Sequence, residues 1–288
     1  MTAPRLPDAP GPEAMTYGDY LRIRELLELQ HPQSDPPHHD ELLFIVIHQA
    51  YELWFKLMLH ELEVALSCMA ERKVLRAHHF MRRVTRVQEL LLHQIHVLET
   101  MSPQEFAEFR HILKPASGFQ SLQFRELEFL AGLRDDAYMK FFAQRPEMQQ
   151  GLTDYGSRKT IWEGFVEVLL HRFPAEDVEA ALELLYRNYE ANVDLYMLAE
   201  SLVDFDALLS QWRYHHVLVV ARIIGDLPGT GGSEGVAYLK TTLDRRAFPL
   251  LWQIRSRLGD GAASWGRPSA GPPGASGDRS GGGCPFGH

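Results

Sequence analysis

Hydrophobic residues recur along most of this chain every three or four positions, the spacing that lines up one face of an α-helix. In residues 38 to 63, HHDELLFIVIHQAYELWFKLMLHELE, the residues Phe44, His48, Tyr51, Phe55 and Leu62 share one face. That segment is apolar nearly all round, which predicts a deeply buried helix. Between 203 and 225 the stripe is Leu208, Trp212, Val219 and Ile223, and His216 falls on it. His215 lies about 100° round the helix, beside Gln211 and Arg222 on the polar face. The pattern predicts helices near 16–30, 40–71, 75–101, 103–113, 120–133, 160–173, 176–200, 203–225 and 234–258. Ser102-Pro103-Gln104-Glu105 is a capping box with Pro at the first helical position. Gly225 ends the helix that carries the paired histidines. Alternating β-branched runs are absent. The expected fold class is all-α, a helical bundle built from long helices that also bury surface against other chains.

Composition trims both ends. Residues 1–14 are rich in Pro and Ala and read as a disordered lead-in. Residues 260–288 are Gly, Pro and Ser and read as a disordered tail, which leaves 15–259 as one all-α domain. A net charge of −9 offers no broad basic face, so nucleic acid is not an expected partner. The two cysteines, Cys68 and Cys284, are too few for a disulfide framework and too isolated for a metal motif. Cys284-Pro285 sits in the tail and carries little weight as a haem-sensing pair. No apolar leader opens the chain, and no apolar run reaches the ~18 residues of a membrane span. The expectation is a cytoplasmic protein with no membrane partner.

Three stretches carry candidate chemistry. His216 stands on an apolar stripe, where a histidine is more often a satisfied core residue than a ligand. His48 sits among aromatic rings on another buried helix. A planar cofactor between the two helices, ligated by one histidine and faced by the other, accounts for both. Other metal chemistry fits less well: only Glu108 to His111 matches a carboxylate di-iron pattern, and the HEXXH zinc motif is missing. His38-His39, His78-His79, His93 and His96 lie near helix ends or among charges, where polar packing roles are expected. The loop Gly229-Thr230-Gly231-Gly232-Ser233-Glu234-Gly235 follows a helix and lacks the GK[ST] ending, so it is no P-loop. Its N–H groups open a helix, and with the Thr230 and Ser233 hydroxyls they suit a small anionic ligand. Arg110 shares a face with Phe106 and is a candidate carboxylate clamp. On spacing alone, a surface ion pair with Glu105 or Glu108 is the stronger reading.

Taken as a set, these stretches resemble the tryptophan 2,3-dioxygenase family. The shared motifs are MTYGDYL at 15–21, FIVIHQAYELWFK at 44–56, FAEFR with PASGFQSLQFRELEFL across 106–130, WRYHHVLVVARIIG at 212–225 and GTGGSEG at 229–235. The resemblance runs from about 15 to 258. It implies one haem b per subunit, with His216 as the axial ligand of its iron. It implies L-tryptophan and O2 as substrates, N-formyl-L-kynurenine as product, and a place at the first step of tryptophan degradation. His48 then matches the distal, catalytic histidine at the indole N–H, and Phe44 the ring that packs on the substrate. Arg110 matches the carboxylate clamp, Thr230 the hydroxyl at the carboxylate and ammonium, and Ser117 a serine near the haem edge. Phe106 stands where family members carry Tyr or Phe. Tyr17 and Tyr20 match tyrosines that reach a neighbouring subunit's site in a homotetramer. Glu234 departs from the family's usual GTGGSSG or GTGGSAG. Two readings compete: a homologue that adds one oxygen atom to a substituted tryptophan or other aromatic amino acid, and a non-catalytic haem sensor.

Overall fold

The computed structural model describes residues 14–260 apart from Ser233. The tail, nearly all of the lead-in, Cys284 and the Ser233 hydroxyl therefore lie outside the described residues. Thirteen α-helices and two short 3-10 turns make up the described chain, with no strand among them. The first six are α1 (Tyr17–Leu21), α2 (Ile23–Leu27), α3 (His39–Ala70), α4 (Val74–Leu98), α5 (Pro103–Arg110) and α6 (Leu122–Ala131). Next come α7 (Asp136–Phe141), α8 (Pro146–Ser157), α9 (Ile161–Arg172) and α10 (Val178–Arg187). The last three are α11 (Val193–Ile224), α12 (Val236–Lys240) and α13 (Pro249–Asp260). The all-α expectation holds.

Three long helices form the frame. α4 lies along both α3 and α11, and these are the two most extensive helix pairings. Their shared core includes Leu62, Ala65 and Met69 of α3, Met81 and Val84 of α4, and Leu195, Leu198 and Leu202 of α11. α6 and α9 cover α3 on its other side, α8 lies on α6, and α5 spans from α3 to α11. α3 bears on the expectation that no segment is apolar enough to span a membrane. An 18-residue window of it reaches a mean hydropathy of 1.4, so length and composition alone would let it cross. Its role in this structure is different: it is the hub, and it buries Glu41 and Glu61 along with its apolar residues.

Four boundaries differ from the periodic pattern, each for a local reason. Arg22 takes a left-handed conformation (φ 52°) and splits the predicted 16–30 helix into α1 and α2. The expected break near residue 201 does not occur: α11 runs through it unbroken, with Ser201 Oγ donating to the Met197 carbonyl and Leu198, Ala199 and Leu202 fully buried. The break falls at 188–192, where the Asn188 and Asn192 side chains donate to the Leu184 and Asn188 carbonyls and end α10. Side chains that bond their own backbone compete with the helix in this way. The 234–258 pattern also divides, because buried Asp206 accepts from the Ala247 and Phe248 N–H groups and from Trp252 Nε1, drawing that stretch inward. α7 and α8 were not anticipated. α7 is capped by Asp135, whose side chain accepts the Ala137 N–H, and α8 opens with Pro146 at its first position.

Glu126, on α6 and half-buried, has no ion-pair partner within reach among the described residues. Burial pushes its carboxyl up to about 7 from an ordinary 4.5, with Glu63 and Glu52 adding to the effect and Arg158 opposing it. The folded chain thus holds this proton more tightly than the unfolded one. The stability it contributes is complete below pH 4.5 and is lost as the pH rises through about 7. Glu126→Gln cannot ionise. It should match the wild type near pH 5 and exceed it by about 1 kcal/mol near pH 8, the gain being limited by solvent screening of a half-exposed group. Urea unfolding at the two pH values measures this. An equal difference at both would mean that Glu126 titrates normally.

Candidate active site

α3, α5, α6, α11 and α12 enclose a partly open cavity of about 280 Å³. Seven of the nine residues singled out from the sequence line it: Phe44, His48, Phe106, Arg110, Ser117, Thr230 and His216. Tyr17 and Tyr20 do not; they stand 78% and 73% exposed on α1, away from this chain's own cavity.

The two histidines approach from opposite helices, each in a defined state. His48 Nδ1 lies 2.7 Å from the Phe44 carbonyl, which can only accept, so Nδ1 carries the proton and Nε2 is a bare acceptor. Burial lowers the His48 pKa and keeps the ring neutral. Phe44 packs against that ring at 4.0 Å between centroids and lies 5.8 Å from Phe106. His216 stacks nearly parallel on Trp212 at 5.1 Å. Desolvation brings its pKa down to about 4, His48 would oppose a second positive ring beside it, and the Arg125 charge opposes protonation further. A neutral imidazole with an unprotonated ring nitrogen is the form a metal requires, and neither His216 nitrogen has a hydrogen-bond partner among the described residues.

The contrast between the neighbours differs from the one helix phase predicts. His215 is not solvent-exposed; both rings are half-buried. What separates them is what they face. His216 opens onto the cavity, whereas His215 packs edge-on against His96 of α4 at 5.5 Å.

Arg110 ends α5 and makes no ion pair with Glu105 or Glu108, so the surface-pair reading fails. Its Nη2 donates to the Pro228 carbonyl, and its buried Nε has no hydrogen-bond partner among the described residues. The glycine loop lies beside it, pinned to the turn that follows α5. Thr230 Oγ1 donates to the Ala116 carbonyl at 2.6 Å. A Cβ on Gly231 would come within 2.6 Å of the Ser117 Cβ, so only glycine permits this approach. Gly235 has φ +62°, and a Cβ there would meet the Leu227 carbonyl at 2.6 Å. The helix that the loop opens, α12, has only five residues. Anion binding by its N-terminus therefore counts for less than the sequence implied, and the Arg110 and Thr230 side chains count for more. Glu234 is exposed and does not line the cavity.

Sequence reasoning missed the floor. Arg125 and Glu128 of α6 pair at 2.6 Å, and Glu128 also holds Arg213 of α11 at 2.8 Å, all three 7% exposed or less. Arg213 donates to the Thr242 and Arg245 carbonyls as well, and the Arg125 guanidinium lies over the Tyr138 ring at 4.2 Å. Tyr138 and Tyr238 join hydroxyl to hydroxyl at 2.9 Å. Arg125 Nε is buried and has no partner among the described residues, like Arg110 Nε above. Two unpaired guanidinium nitrogens on cavity-lining residues, together with a bare neutral imidazole, suit a planar metal cofactor bearing carboxylates and an anionic substrate group.

The family described as "Tryptophan 2,3-dioxygenase" matches residues 8–155 and 169–258. The chain belongs to the tryptophan 2,3-dioxygenase family. Proteins of that name from Nocardioides sp., Caulobacter vibrioides and Herpetosiphon aurantiacus are 47%, 45% and 42% identical to it. Each alignment covers 85% of this chain and 95%, 98% and 99% of the respective relative. The family resemblance read from the motifs is thus established over nearly the whole length of these relatives.

A buried carboxylate shared by two guanidiniums makes a direct prediction for this family member. Glu128→Gln keeps the shape but leaves Arg125 and Arg213 without their counter-charge. Breaking a buried pair from one side costs about 3–5 kcal/mol, and urea unfolding should show a loss of that size. A loss under about 1 kcal/mol would show that water or carbonyl groups already balance the two cations.

Proposed function

We propose that this chain uses haem and O2 to open the indole ring of L-tryptophan, inserting both oxygen atoms across the C2=C3 bond to give N-formyl-L-kynurenine. This is the first step of tryptophan degradation by the kynurenine route. The observation that carries the reading is the meeting of neutral His48 and His216 in one cavity with the partner-free Arg110 Nε. His216 is the residue to hold the iron of one haem b per subunit. Trp212 stacks on its ring and fixes its plane. Arg125 on the cavity floor, with an unpaired Nε, would meet the carboxylates of the haem. When bound, haem supplies the iron centre that activates O2.

The rest of the work falls to side chains. Arg110 takes the substrate carboxylate. Thr230, whose proton is committed to Ala116, is left with lone pairs that accept from the substrate ammonium. Phe44 and Phe106 give the indole an apolar wall and exclude water. His48 Nε2, as a bare acceptor, receives the indole N–H and sets the ring's orientation. Its depressed pKa suits it to orient the indole more than to act as an obligatory base. Holding reactants in register is worth on the order of 7–11 kcal/mol. Ser117 shapes the cavity edge against Gly231.

The exposed Tyr17 and Tyr20 fit a role in a neighbouring subunit's site. The apolar Leu42, Val46 and Leu53 left exposed on α3 support burial against other copies in a homotetramer. A cytoplasmic place accords with the reaction.

Mass spectrometry of the product made from L-tryptophan by the reduced, haem-loaded protein in air tests the reading. Gain of two oxygen atoms with ring opening is expected. Gain of one atom would make the chain a mono-oxygenating homologue, and haem binding without turnover would make it a sensor. His216→Ala should abolish haem retention while His215→Ala keeps it, as read from the Soret band per protein. Equal haem content in the two variants would remove His216 as the ligand. Arg110→Ala should retain haem yet weaken tryptophan binding by about 1.5–3 kcal/mol, roughly ten- to a hundredfold. Unchanged affinity would show that the carboxylate binds elsewhere.

A further inference from the structure

His38, immediately before α3, has no part in the reading above, yet it touches the helix that carries Arg110. Its ring packs on Phe109 of α5 with centroids 5.2 Å apart. Its Nε2 lies 3.2 Å from Glu108 Oε2, also on α5. Its Nδ1 accepts the Asp40 backbone N–H at 3.1 Å. A neutral ring that accepts at Nδ1 must carry its proton on Nε2, the atom that faces Glu108. The backbone therefore selects the tautomer that this contact needs.

His38 is itself held from behind. Its backbone N–H donates to Ser34 Oγ at 2.7 Å, and Ser34 Oγ donates to Glu41 Oε2 at 2.5 Å. Glu41, 1% exposed, also accepts the N–H groups of Gln33 at 2.6 Å and Ser34 at 3.0 Å. The chain of bonds ends on α3, the hub of the fold.

α5 has eight residues and is anchored on α3 and α11 through buried Phe106 and Phe109, so its outer side, where Glu108 lies exposed, is where a further hold can act. Its inner face places Phe106 and Arg110 at the cavity, and Phe109 relays contact onward to Phe106 at 5.4 Å and Phe44 at 6.0 Å. A small rotation of this helix about its axis would swing the Arg110 guanidinium away from Pro228 and the cavity. We propose that His38 is a positioning residue for substrate binding: by gripping Glu108 and Phe109 it sets the rotation of α5, and so the place of Arg110. The inference rests on Arg110 as the carboxylate clamp. Glu108 is 67% exposed, so the contact contributes little to global stability, and its effect lies in orientation.

The test uses the full-length, haem-loaded protein. KM and kcat for L-tryptophan are measured with the dissociation constants of tryptophan and of indole, which has no carboxylate, from the haem absorption shift. His38→Ala should raise KM and the tryptophan dissociation constant about three- to tenfold, with kcat, haem content and Tm nearly unchanged. Indole affinity should stay the same. His38→Gln, which keeps an N–H donor, should recover most of the loss. Glu108→Ala should show the same split, and the double variant should add little to either single one. An equal loss for tryptophan and indole, unchanged tryptophan affinity, or full additivity would each overturn the proposal. Arg110→Ala, run in parallel, separates the two ideas. If it removes the preference for tryptophan over indole and His38→Ala does not reduce that preference, the clamp stands and only His38 falls. If Arg110→Ala leaves the preference intact, the clamp reading fails and takes this proposal with it.

Discussion

The cavity depends on one carboxylate kept from water. Glu128 sits between Arg125 and Arg213, joining α6 to α11 beneath the site. Arg213 reaches on to the Thr242 and Arg245 carbonyls, so the segment after α12 hangs from the same point. A buried ion cluster of this kind adds little net stability over a well-packed apolar core, because each charge must be stripped of water. What it fixes is arrangement. α6 is set against α11, and the floor of the cavity cannot shift without separating charges. One anion also serves two cations, which leaves a positive excess near His216. That excess and the loss of water both oppose an imidazolium, and Arg125 appears among the charges that lower the His216 pKa. The ionic floor therefore helps keep the histidine neutral, the form its proposed role as iron ligand needs.

The same cavity stores unmet hydrogen-bonding demand. Arg110 Nε and Arg125 Nε are buried without partners among the described residues, a condition that costs on the order of 1–3 kcal/mol for each group. A fold retains such groups when the frame around them is strong enough, and here α3, α4 and α11 share one long apolar core. A ligand that pairs these nitrogens relieves the cost and binds the folded chain only, so occupancy and stability are linked.

The helical class and the long helices were legible because burial imposes a helical period on α3, α4 and α11. The capping box at Ser102 marked the start of α5 to the residue. The breaks were less legible. Asn188 and Asn192 end a helix by bonding their own backbone, and Asp206 bends the 241–248 stretch from 41 residues away. Neither effect disturbs hydrophobic spacing. At the site, periodicity brought His48, His216 and the aromatic wall into view, but their roles came from the family motifs. The Arg125–Glu128–Arg213 floor was invisible for a different reason. Charged residues within helices read as solvated, and only the fold shows that they face one another. His215 marks the limit of phase arguments: a polar-face position still becomes half-buried when a neighbouring helix brings His96 against it.

The way the two head-group residues are held bears on what the proposed site would reject. Arg110 spends one donor on the Pro228 carbonyl and keeps Nε free, so it remains a pure donor toward a ligand. Thr230 spends its only proton on the Ala116 carbonyl, so it remains a pure acceptor. Backbone carbonyls have thus left a donor and an acceptor near each other in the cavity lining. A zwitterionic amino acid satisfies both with the correct polarity. A simple acid would leave Thr230 without its donor, and an amine would leave Arg110 unpaired. Sites that leave a buried polar group unsatisfied reject such analogues far more strongly than apolar walls reject a change of size. In the proposed site, Phe44 and Phe106 would tolerate variation in the ring, whereas Arg110 and Thr230 would not tolerate variation in the head group. Selectivity at this site should therefore be strict for the amino-acid moiety and looser for substituents on the indole.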